Sequence, residues 1–502
     1  MNRRRFLQTI SSATLLGTAP AWSSTPKSAA QMFQEAIVRE PWLAAYQSVQ
    51  HLAYDSKVKF SGKLPDALRG ILYRNGPAQR EIAGYRYNHW FEGNGMVHAY
   101  TIGDGQLTHR ARMVKTNKYQ SEQAAGRALY PDFASVPPNP MPVNSADAVN
   151  SANISVLKHH GKLFALWEAG SAWEMDPETL ESKGAFAFSD DTAGVAFSAH
   201  PRVEPDGTLW NFGYLSRQKL LVLWHIAADG RLVKAGTLPV NPITMPHDFV
   251  VTENYLVILF PPFHYRPDEQ GQSFLQSHRW SPSDPTRVLV VDKNDFSAYR
   301  WLELPAQWVF HFGNAWEDKH GVIQFDGARY ESPATMTDLF SDTLYRQPFK
   351  SIPSVHYQYR INTKNWTAEE APMLLPGFST EFPVIDPQMN GQQNNRLVFL
   401  HRREGDVAIH PLLNGVSTYL AKQDRLDSFR YPDQLLPEEH LFIPKPGAPP
   451  ETEGWIVGTA LDYVSAATIL NVFDANALEA GPIAQARLPY RLPLGLHGKF
   501  YS

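Results

Sequence analysis

The sequence predicts an all-β protein built as a β-propeller, and three features of its 502 residues support that prediction. Apolar runs of four to eight residues recur along the chain, as is typical of strands buried in a sheet. Turn-forming residues separate these runs, and the 32 glycines and 39 prolines leave little room for long helices. The pattern continues from residue 54 to the C-terminus, a length that a propeller reaches readily and a sandwich rarely.

Strands, turns and helices can be assigned along the chain from local patterning. The clearest predicted strands are residues 163–167, 220–224, 255–260, 288–291, 396–400 and 468–473. Predicted turns include Asn75-Gly76-Pro77, Gly93-Asn94-Gly95, Asp206-Gly207, Asp229-Gly230 and Asp326-Gly327. Helical patterning is confined to residues 29–49 and 336–345. No regular repeat period is visible, so the patterning itself does not indicate the number of blades.

The N-terminus has the pattern of an export signal. Residues 1–21 begin with Arg3, Arg4 and Arg5, continue with a short apolar stretch and end in an Ala-Pro-Ala site. Two arginines followed by x-Phe-Leu predict a twin-arginine signal and a periplasmic or exported protein, with a general-secretory signal as the alternative. We expect residues 22–53 to form an N-terminal helical segment and residues 54–502 to form one propeller domain.

Composition excludes several classes of function. The chain has no cysteine, which rules out disulfide frameworks, thiolate metal sites and cysteine nucleophiles. The net charge is −4 and there is no long basic run, so we expect no nucleic-acid partner. No obligate protein partner is evident. With 18 histidines in the chain, any metal chemistry must use imidazole and carboxylate ligands.

Four histidines stand out because each lies at a predicted strand end beside glycine, proline or aromatic residues. They are His200, His247, His311 and His497. On a propeller, loops and strand ends from distant blades meet at the central axis, so these side chains can converge there. Another seven histidines lie among polar or turn residues and are predicted to be on the surface: His51, His109, His159, His160, His278, His320 and His410.

These histidines fall within a series of motifs that resembles the carotenoid cleavage oxygenase family. The series keeps the order found in that family from about residue 57 to the C-terminus. Its segments are Arg74-Asn75-Gly76-Pro77, residues 89–99, residues 163–170 with 176–180, Ala199-His200-Pro201 with Phe212-Gly213-Tyr214, Met245-Pro246-His247-Asp248, residues 310–317, Glu381-Phe382-Pro383 and residues 497–500. Eight motifs in one order are a specific signal, whereas any one alone would be weak.

The resemblance implies a seven-bladed β-propeller with a dome of loops and short helices over the active-site face. It also implies one Fe(II) per subunit on the axis, held by His200, His247, His311 and His497, with O₂ as co-substrate. In the family, glutamates stand behind three of the ligands, and by motif these are Glu168, Glu381 and Glu439. Neutral imidazoles suit Fe(II), and carboxylates that accept their distal N–H groups orient the rings and offset the charge of the ion.

Some positions depart from the pattern of the family. Ile154 stands where many bacterial relatives have threonine near the open side of the iron. Relatives that cleave phenolic stilbenes hold the phenol with a lysine and a tyrosine, and those positions align with Val149 and Met113 here. His98 and His440 fall on no ligand motif, so neither is predicted to bind the metal.

The resemblance also implies an apolar tunnel that leads to the iron and opens at a hydrophobic surface patch. We expect Phe91, Phe310 and Trp316 to line it, and the insertions at residues 260–280 and 332–349 to form part of the dome. A patch of this kind suits an apolar small-molecule substrate and a peripheral membrane contact through which the substrate is extracted.

The resemblance therefore predicts a non-haem Fe(II) dioxygenase that cleaves a C=C bond of a carotenoid, apocarotenoid or related polyene into two carbonyl products. Three alternatives stay open on sequence grounds. The first is a dioxygenase for stilbene or phenylpropanoid double bonds. The second is a non-catalytic propeller that binds lipid or protein, and the third is an isomerohydrolase that acts on retinoid esters.

Overall fold

Seven antiparallel sheets of four or five strands form the body of the protein in the computed structural model. The structure describes residues 27–266, 272–342, 352–374, 377–406 and 409–502. The predicted signal at residues 1–21 lies outside these ranges. We number the sheets as blades 1 to 7 in chain order, and they confirm the prediction of a seven-bladed, all-β propeller.

The blades have the following strands. Blade 1 contains Ala53–Lys59, Gly70–Gln79, Asn94–Gly103, Gln106–Met113 and Gly498–Tyr501, and blade 2 contains Ser155–His159, Lys162–Leu166, Trp173–Met175 and Ser182–Ala185. Blade 3 contains Arg202–Val203, Leu209–Leu215, Leu220–Ile226 and Leu232–Pro239, and blade 4 contains Phe249–Val251, Tyr255–Phe260, Thr286–Asp292 and Tyr299–Leu304. Blade 5 contains Trp308–Glu317, Val322–Tyr330, Val355–Asn362 and Thr367–Pro372. Blade 6 contains Phe378–Val384, Arg396–Arg403, Gly415–Leu420 and Arg425–Arg430, and blade 7 contains Leu435–Pro444, Gly454–Asp462, Ala467–Asp474, Ala484–Arg487 and Ser61–Gly62.

Both ends of the chain contribute to closing the ring between blades 7 and 1. The C-terminal strand Gly498–Tyr501 pairs with Gly70–Gln79 at one edge of blade 1. Near the N-terminus, Ala53–Lys59 forms the other edge of blade 1, and Ser61–Gly62 adds to the edge of blade 7. These three strands tie the ends of the chain into neighbouring blades, so the ring cannot open without breaking sheet hydrogen bonds.

The hydrophobic core lies between neighbouring blades. Blades 1 and 2 meet around Val97 and Val156, and separate apolar clusters join blades 2 and 3, 3 and 4, 4 and 5, 6 and 7, and 7 and 1. Blades 5 and 6 meet where Trp308–Glu317 contacts Phe378–Val384. Apolar contact therefore continues around the whole ring.

Helices are few and short. The α-helices are Ala29–Arg39, Asn117–Ala125 and Phe340–Asp342, a π-helical turn spans Thr335–Leu339, and the 3₁₀ turns are Pro41–Tyr46, Ala146–Ala148, Asp190–Thr192, Leu275–Ser277, Pro387–Met389, Ala421–Gln423 and Leu478–Ala480. Two further ribbons pair Glu81–Ile82 with Tyr85–Arg86 and Phe263–Tyr265 with His278–Trp280. Within the described ranges, no helix has the length and apolar character needed to cross a bilayer.

Three local predictions were wrong. Asp326-Gly327 lies inside the strand Val322–Tyr330, where Asp326 is buried and accepts a hydrogen bond from His356. Asn75-Gly76-Pro77 lies inside the strand Gly70–Gln79. The helix Asn117–Ala125 was missed, although Thr116 caps its N-terminus and a left-handed Gly126 ends it. In the first two cases, pairing with neighbouring strands of the blade overrides local turn preference.

Candidate metal centre and substrate cavity

Strands of four blades bring the four predicted histidines together. His200 and His247 each lie two residues before the first strand of blades 3 and 4. His311 lies within the first strand of blade 5, and His497 directly precedes the C-terminal strand of blade 1. Residues up to 297 positions apart in sequence therefore meet at one end of the axis.

The imidazole rings of the four histidines face one another closely. The Nε2 atoms of His200 and His247 are 3.1 Å apart, and those of His247 and His311 are 3.3 Å apart. The ligand nitrogens of these three residues all lie within 4.8 Å of one another. The ring of His497 completes the cluster, with its centroid 4.7 Å from the centroids of both His200 and His311.

Three buried glutamates hold the far side of the rings. The Nδ1–H of His311 donates to Glu381 Oε2 at 2.6 Å, and that of His497 donates to Glu439 Oε1 at 2.9 Å. Glu168 Oε1 contacts Nδ1 of His247 directly. The three carboxylates come from blades 2, 6 and 7, so every blade of the ring contributes one residue to the site.

Burial and these pairings set the protonation of the site. Burial lowers the pKa of His200 well below its ordinary value, and the neighbouring imidazoles lower it further. Burial also lowers the pKa of His497, to about 4, although Glu439 opposes this shift. For His311, Glu381 outweighs burial and raises the pKa. Burial opposes ionisation of Glu439, but His497 and Arg74 overcome it and hold its pKa at about 2.

The donor set fits a cation. A neutral imidazole whose Nδ1–H donates to a carboxylate presents a bare lone pair at Nε2. Such lone pairs on His247 and His311 point into a space where nitrogen atoms lie 3.1 to 3.3 Å apart, an arrangement that is repulsive unless a proton or a metal ion lies between them. Imidazole nitrogens suit Fe(II) among other transition ions, and three carboxylates offset its charge.

A buried network positions the segment that carries His497. Arg74 donates to the backbone carbonyls of Glu439 and Leu496, at 2.8 and 3.3 Å. The backbone N–H of Asn75 donates to the carbonyl of His497 at 2.9 Å. A Cβ atom at Gly76 would overlap the Cα of Gly495, so only glycine permits this close approach. Asn75-Gly76-Pro77, which was predicted to be a turn, therefore holds the segment that carries His497 in position.

Phe382 packs against two of the histidines from a strained backbone position. Its φ of 54° lies in the left-handed region, which is uncommon for a bulky residue and typical of functional sites. Its ring lies 5.2 Å from the ring of His311 and 5.3 Å from that of His497. Its backbone N–H donates to Glu381 Oε2 at 2.7 Å, so the same turn orients the carboxylate.

A large cavity opens onto this cluster. It has a volume of about 760 Å³, and His247, His311 and His497 lie in its wall. Apolar and aromatic side chains dominate the remaining lining, which includes Trp90, Phe133, Val143, Trp167, Met245, Phe274, Phe340 and Leu496. A space of this size and character suits a long apolar ligand.

Three of the four predicted pocket residues line this cavity. Ile154, Phe91 and Phe310 do so, but Trp316 does not. Trp316 lies five residues beyond His311 on a strand that rises about 3.3 Å per residue, which separates it along the strand from His311 and from the cavity. The predicted dome contributes Phe274 from residues 260–280 and Phe340 from residues 332–349; residues 267–271 and 343–349 lie outside the described ranges.

The positions aligned with the phenol-binding residues differ in their placement. Val149 lines the cavity, whereas Met113 is buried in blade 1 and does not. No lysine lines the cavity among the residues that the structure describes. Sequence reasoning missed Tyr214 and Tyr330 as lining residues, and Tyr330 also donates to Glu381 Oε1 at 3.2 Å. Tyr214 lies in the family motif Phe212-Gly213-Tyr214, so the sequence did contain a signal that this residue belongs to the site.

Other histidines lie apart from the cluster. His98 pairs with His109, and His440 bonds to Tyr431 and to the carbonyl of Glu438. The prediction that seven further histidines are on the surface was wrong for four buried ones: His109, His159, His278 and His410. Packing between strands, which local sequence does not show, buries these rings.

Comparison with known proteins assigns the family. The sequence model of the family described as "Retinal pigment epithelial membrane protein" matches residues 46–502. The apocarotenoid-15,15'-oxygenase of Synechocystis sp. is 28% identical over 93% of this chain and 97% of its own length. The carotenoid 9,10(9',10')-cleavage dioxygenase 1 of Arabidopsis thaliana is 27% identical over 88% and 86%.

Two further comparisons are relevant to the site. The isoeugenol monooxygenase of Pseudomonas nitroreducens is 24% identical over 88% of this chain and 93% of its own length. The solved structure of the cobalt-substituted Synechocystis apocarotenoid oxygenase has a TM-score of 0.83 and 26% identity, and covers 92% of this chain and 98% of that one. These findings confirm the predicted resemblance: the chain belongs to the carotenoid cleavage oxygenase family and is an oxygenase enzyme.

Proposed function

We propose that this oxygenase binds one Fe(II) per chain through His200, His247, His311 and His497, and that it cleaves a C=C bond of a carotenoid, apocarotenoid or related polyene into two carbonyl products. The observation that carries the proposal is the meeting of the imidazole cluster with a largely apolar cavity of about 760 Å³. Ferrous iron, when bound, would activate O₂, and the double bond itself supplies the electrons that reduce the two oxygen atoms to carbonyl oxygens.

The residues of the chain have separate tasks in this proposal. Glu168, Glu381 and Glu439 fix the tautomer and orientation of three imidazoles, so that Nε2 stays free to bind the ion. Phe91 and Phe310 pack edge to face at 6.0 Å and form a rigid wall against which a flat polyene can lie. The apolar lining excludes water from the reacting chain.

Ile154 lies close to the same centre. Its side chain lines the cavity, and its backbone carbonyl accepts a hydrogen bond from the N–H of His497 at 3.2 Å. An isoleucine adds bulk at this position without offering a hydrogen bond to O₂ or water. We therefore propose that Ile154 shapes the space beside the open side of the iron by volume alone.

A stilbene or phenylpropanoid substrate is the second candidate. The match to an isoeugenol monooxygenase favours it, as do the hydroxyl groups of Tyr214 and Tyr330 in the cavity wall. Burial raises the pKa of both tyrosines well above the ordinary value, so both stay protonated. No lysine is among the described lining residues, and the one cationic side chain there, Arg217, is solvent-exposed, so no buried cation is present to stabilise a phenolate, which favours a polyene.

An assay with two substrate classes tests the proposal. Protein reconstituted anaerobically with Fe(II) is exposed to air with a panel of apocarotenals and with a hydroxylated stilbene. We expect two carbonyl fragments from a polyene and little turnover of the stilbene. Efficient cleavage of the stilbene alone would establish the second candidate. Label from ¹⁸O₂ in the fragments supports oxygenation and argues against an isomerohydrolase.

We further propose that the protein is exported and that it contacts a membrane peripherally to collect its substrate. The arginines at residues 3–5 support export. Exposed Met141 and Pro142 line the cavity at the surface beside half-buried Val143, which supports contact with lipid there. Fractionation of cells expressing the chain, with Arg3→Lys and Arg4→Lys together as the variant, tests export. Retention of the wild-type chain in the cytoplasm would contradict it.

A further inference from the structure

A second, smaller cavity adjoins the substrate cavity. Its volume is about 80 Å³, and we call it the end pocket. The residues that line both spaces are Trp90, Tyr330, Phe340, Glu381 and Phe382. The two spaces are therefore neighbours that share one wall of side chains. The end pocket extends toward blade 6, where Arg402 and Ser379 line it, and toward Thr335 of the π-helical turn.

Three buried hydrogen-bond donors line the end pocket without a partner. They are Trp90 Nε1, Thr335 Oγ1 and Arg402 Nε, and none is bonded within the described part of the chain. The three residues are only 7%, 4% and 7% exposed. A buried donor that stays unpaired is destabilising, because the hydrogen bonds it made to water in the unfolded chain are lost and not replaced. Three such groups around one small space indicate a site built for a hydrogen-bond acceptor.

Arg402 makes this pocket locally cationic. Its two Nη atoms bond to the carbonyl and to Nδ1 of His410, at 2.7 and 3.4 Å, which leaves Nε available. Burial lowers the pKa of its guanidinium to about 10, so it remains charged at neutral pH. Asp406 and Asp433 oppose that shift, and Arg430 reinforces it.

The acidic residues around the pocket are occupied elsewhere. Glu381 accepts from His311 and Tyr330, and Glu439 accepts from His497 and the N–H of Gly498. Glu438, the third, accepts from the backbone N–H of Gly495 at 2.5 Å and from Thr459. Their oxygens are thus committed to other donors and do not satisfy the three unpaired groups.

We propose that the end pocket binds the terminal carbonyl oxygen of the polyene substrate, with Thr335 and Arg402 as the donors that recognise it. This inference rests on the proposed function, because the rest of the polyene must lie in the adjoining cavity. The polyene would enter past Trp90 and Phe340, whose rings meet edge to face at 4.9 Å. A volume of about 80 Å³ suits the end of a chain and excludes a cyclic end group.

Selectivity between two matched polyenes tests the assignment. The substrates have the same length and differ only at one end, an aldehyde in one and a methyl group in the other. The ratio of their kcat/KM values is measured for wild type, Thr335→Val, Arg402→Gln and Arg403→Gln. Thr335→Val keeps the side-chain shape, and Arg403 is an exposed neighbour that does not line the pocket.

We expect wild type to prefer the aldehyde, Thr335→Val to lower the ratio about fivefold and Arg402→Gln to lower it about tenfold. Arg403→Gln should keep the wild-type ratio. An unchanged ratio in both pocket variants would overturn the inference and indicate that the pocket holds only water. If wild type binds and cleaves neither polyene, the proposed function fails first, and the inference falls with it.

Discussion

At the scale of single residues, each carboxylate fixes one imidazole in the tautomer that can bind a metal. Glu381 shows this most completely, because it accepts from His311, from the hydroxyl of Tyr330 and from the backbone N–H of Phe382. All three donors hold the carboxylate of Glu381 in place, so its charge and orientation are already fixed in the metal-free protein. Loss of the charge alone should therefore weaken metal binding without dismantling the site.

Glu381→Gln tests this role. The amide keeps the shape but loses the negative charge and one acceptor, so we expect the affinity for Fe(II) to fall about 10- to 100-fold. Competition with a chelator under anaerobic conditions measures the affinity. The matched control is Glu451→Gln, since Glu451 is another buried glutamate that accepts backbone N–H groups, from Asn395 and Arg396. Equal iron affinity in the Glu381 variant and wild type would contradict the assigned role.

At the scale of strands, the site depends on how pairing within each blade directs one residue toward the centre of the ring. Family motifs singled out the four histidines and three glutamates, although some of them lie before or after a strand, as His200 and Glu168 do, and others lie within one, as Glu381 does. Trp316 could not be placed in the same way, because its distance from the cavity depends on the direction in which its strand runs. Asn75-Gly76-Pro77 was predicted to be a turn, and its place inside a strand likewise depends on pairing, here with residues 95–97 of the next strand.

The close approach of Gly76 to Gly495 provides a test at this scale. In Gly76→Ala, the added methyl group would push away the segment that ends in His497, so we expect a loss of about 1 to 3 kcal/mol in unfolding free energy together with weaker iron binding. Gly103→Ala is the matched control, because a Cβ there has its nearest neighbour at 3.8 Å. Urea unfolding and metal titration of both variants check this. Equal unfolding free energies and equal iron affinities in the two variants would show that Gly76 does not position the segment that carries His497.

At the scale of the whole molecule, the site exists only when the ring is closed. The four histidines proposed to bind iron come from blades 1, 3, 4 and 5, and the three carboxylates that contact their rings come from blades 2, 6 and 7. Metal binding and ring closure should therefore stabilise each other. Length and strand patterning were enough to predict a propeller, but the blade count came from the family motifs, since the blades share no repeat in sequence.

Buried neutral histidines make the ring sensitive to acid. Burial lowers the pKa of His89, His109 and His410 to about 3, and that of His278, His401 and His440 to about 4. Below about pH 6.5 these histidines bind protons in the unfolded chain but stay neutral in the folded chain. Stability should thus fall as the pH drops from about 6.5 toward 4, by about 1.4 kcal/mol per pH unit for each histidine.

His109→Gln measures one such contribution. His109 lies between His98 and Tyr490, far in sequence from any site residue, and glutamine does not titrate. Unfolding free energies from urea titrations at pH 7, 6 and 5 give the slope, with iron held at the same concentration. We expect the slope of the variant to be smaller than that of wild type by about 1.4 kcal/mol per pH unit. Identical slopes would show that His109 is protonated in the folded state.

The most direct test of the account is the iron content of the purified protein after anaerobic loading and removal of free metal. We predict one iron per chain for wild type and for His159→Gln, a buried histidine that bonds to the carbonyl of Gly207 outside the cluster. His247→Ala, which removes the imidazole nearest to two others, should retain less than about a tenth of that amount. Stoichiometric iron in His247→Ala, or none in wild type, would contradict the central claim that these histidines hold a ferrous ion.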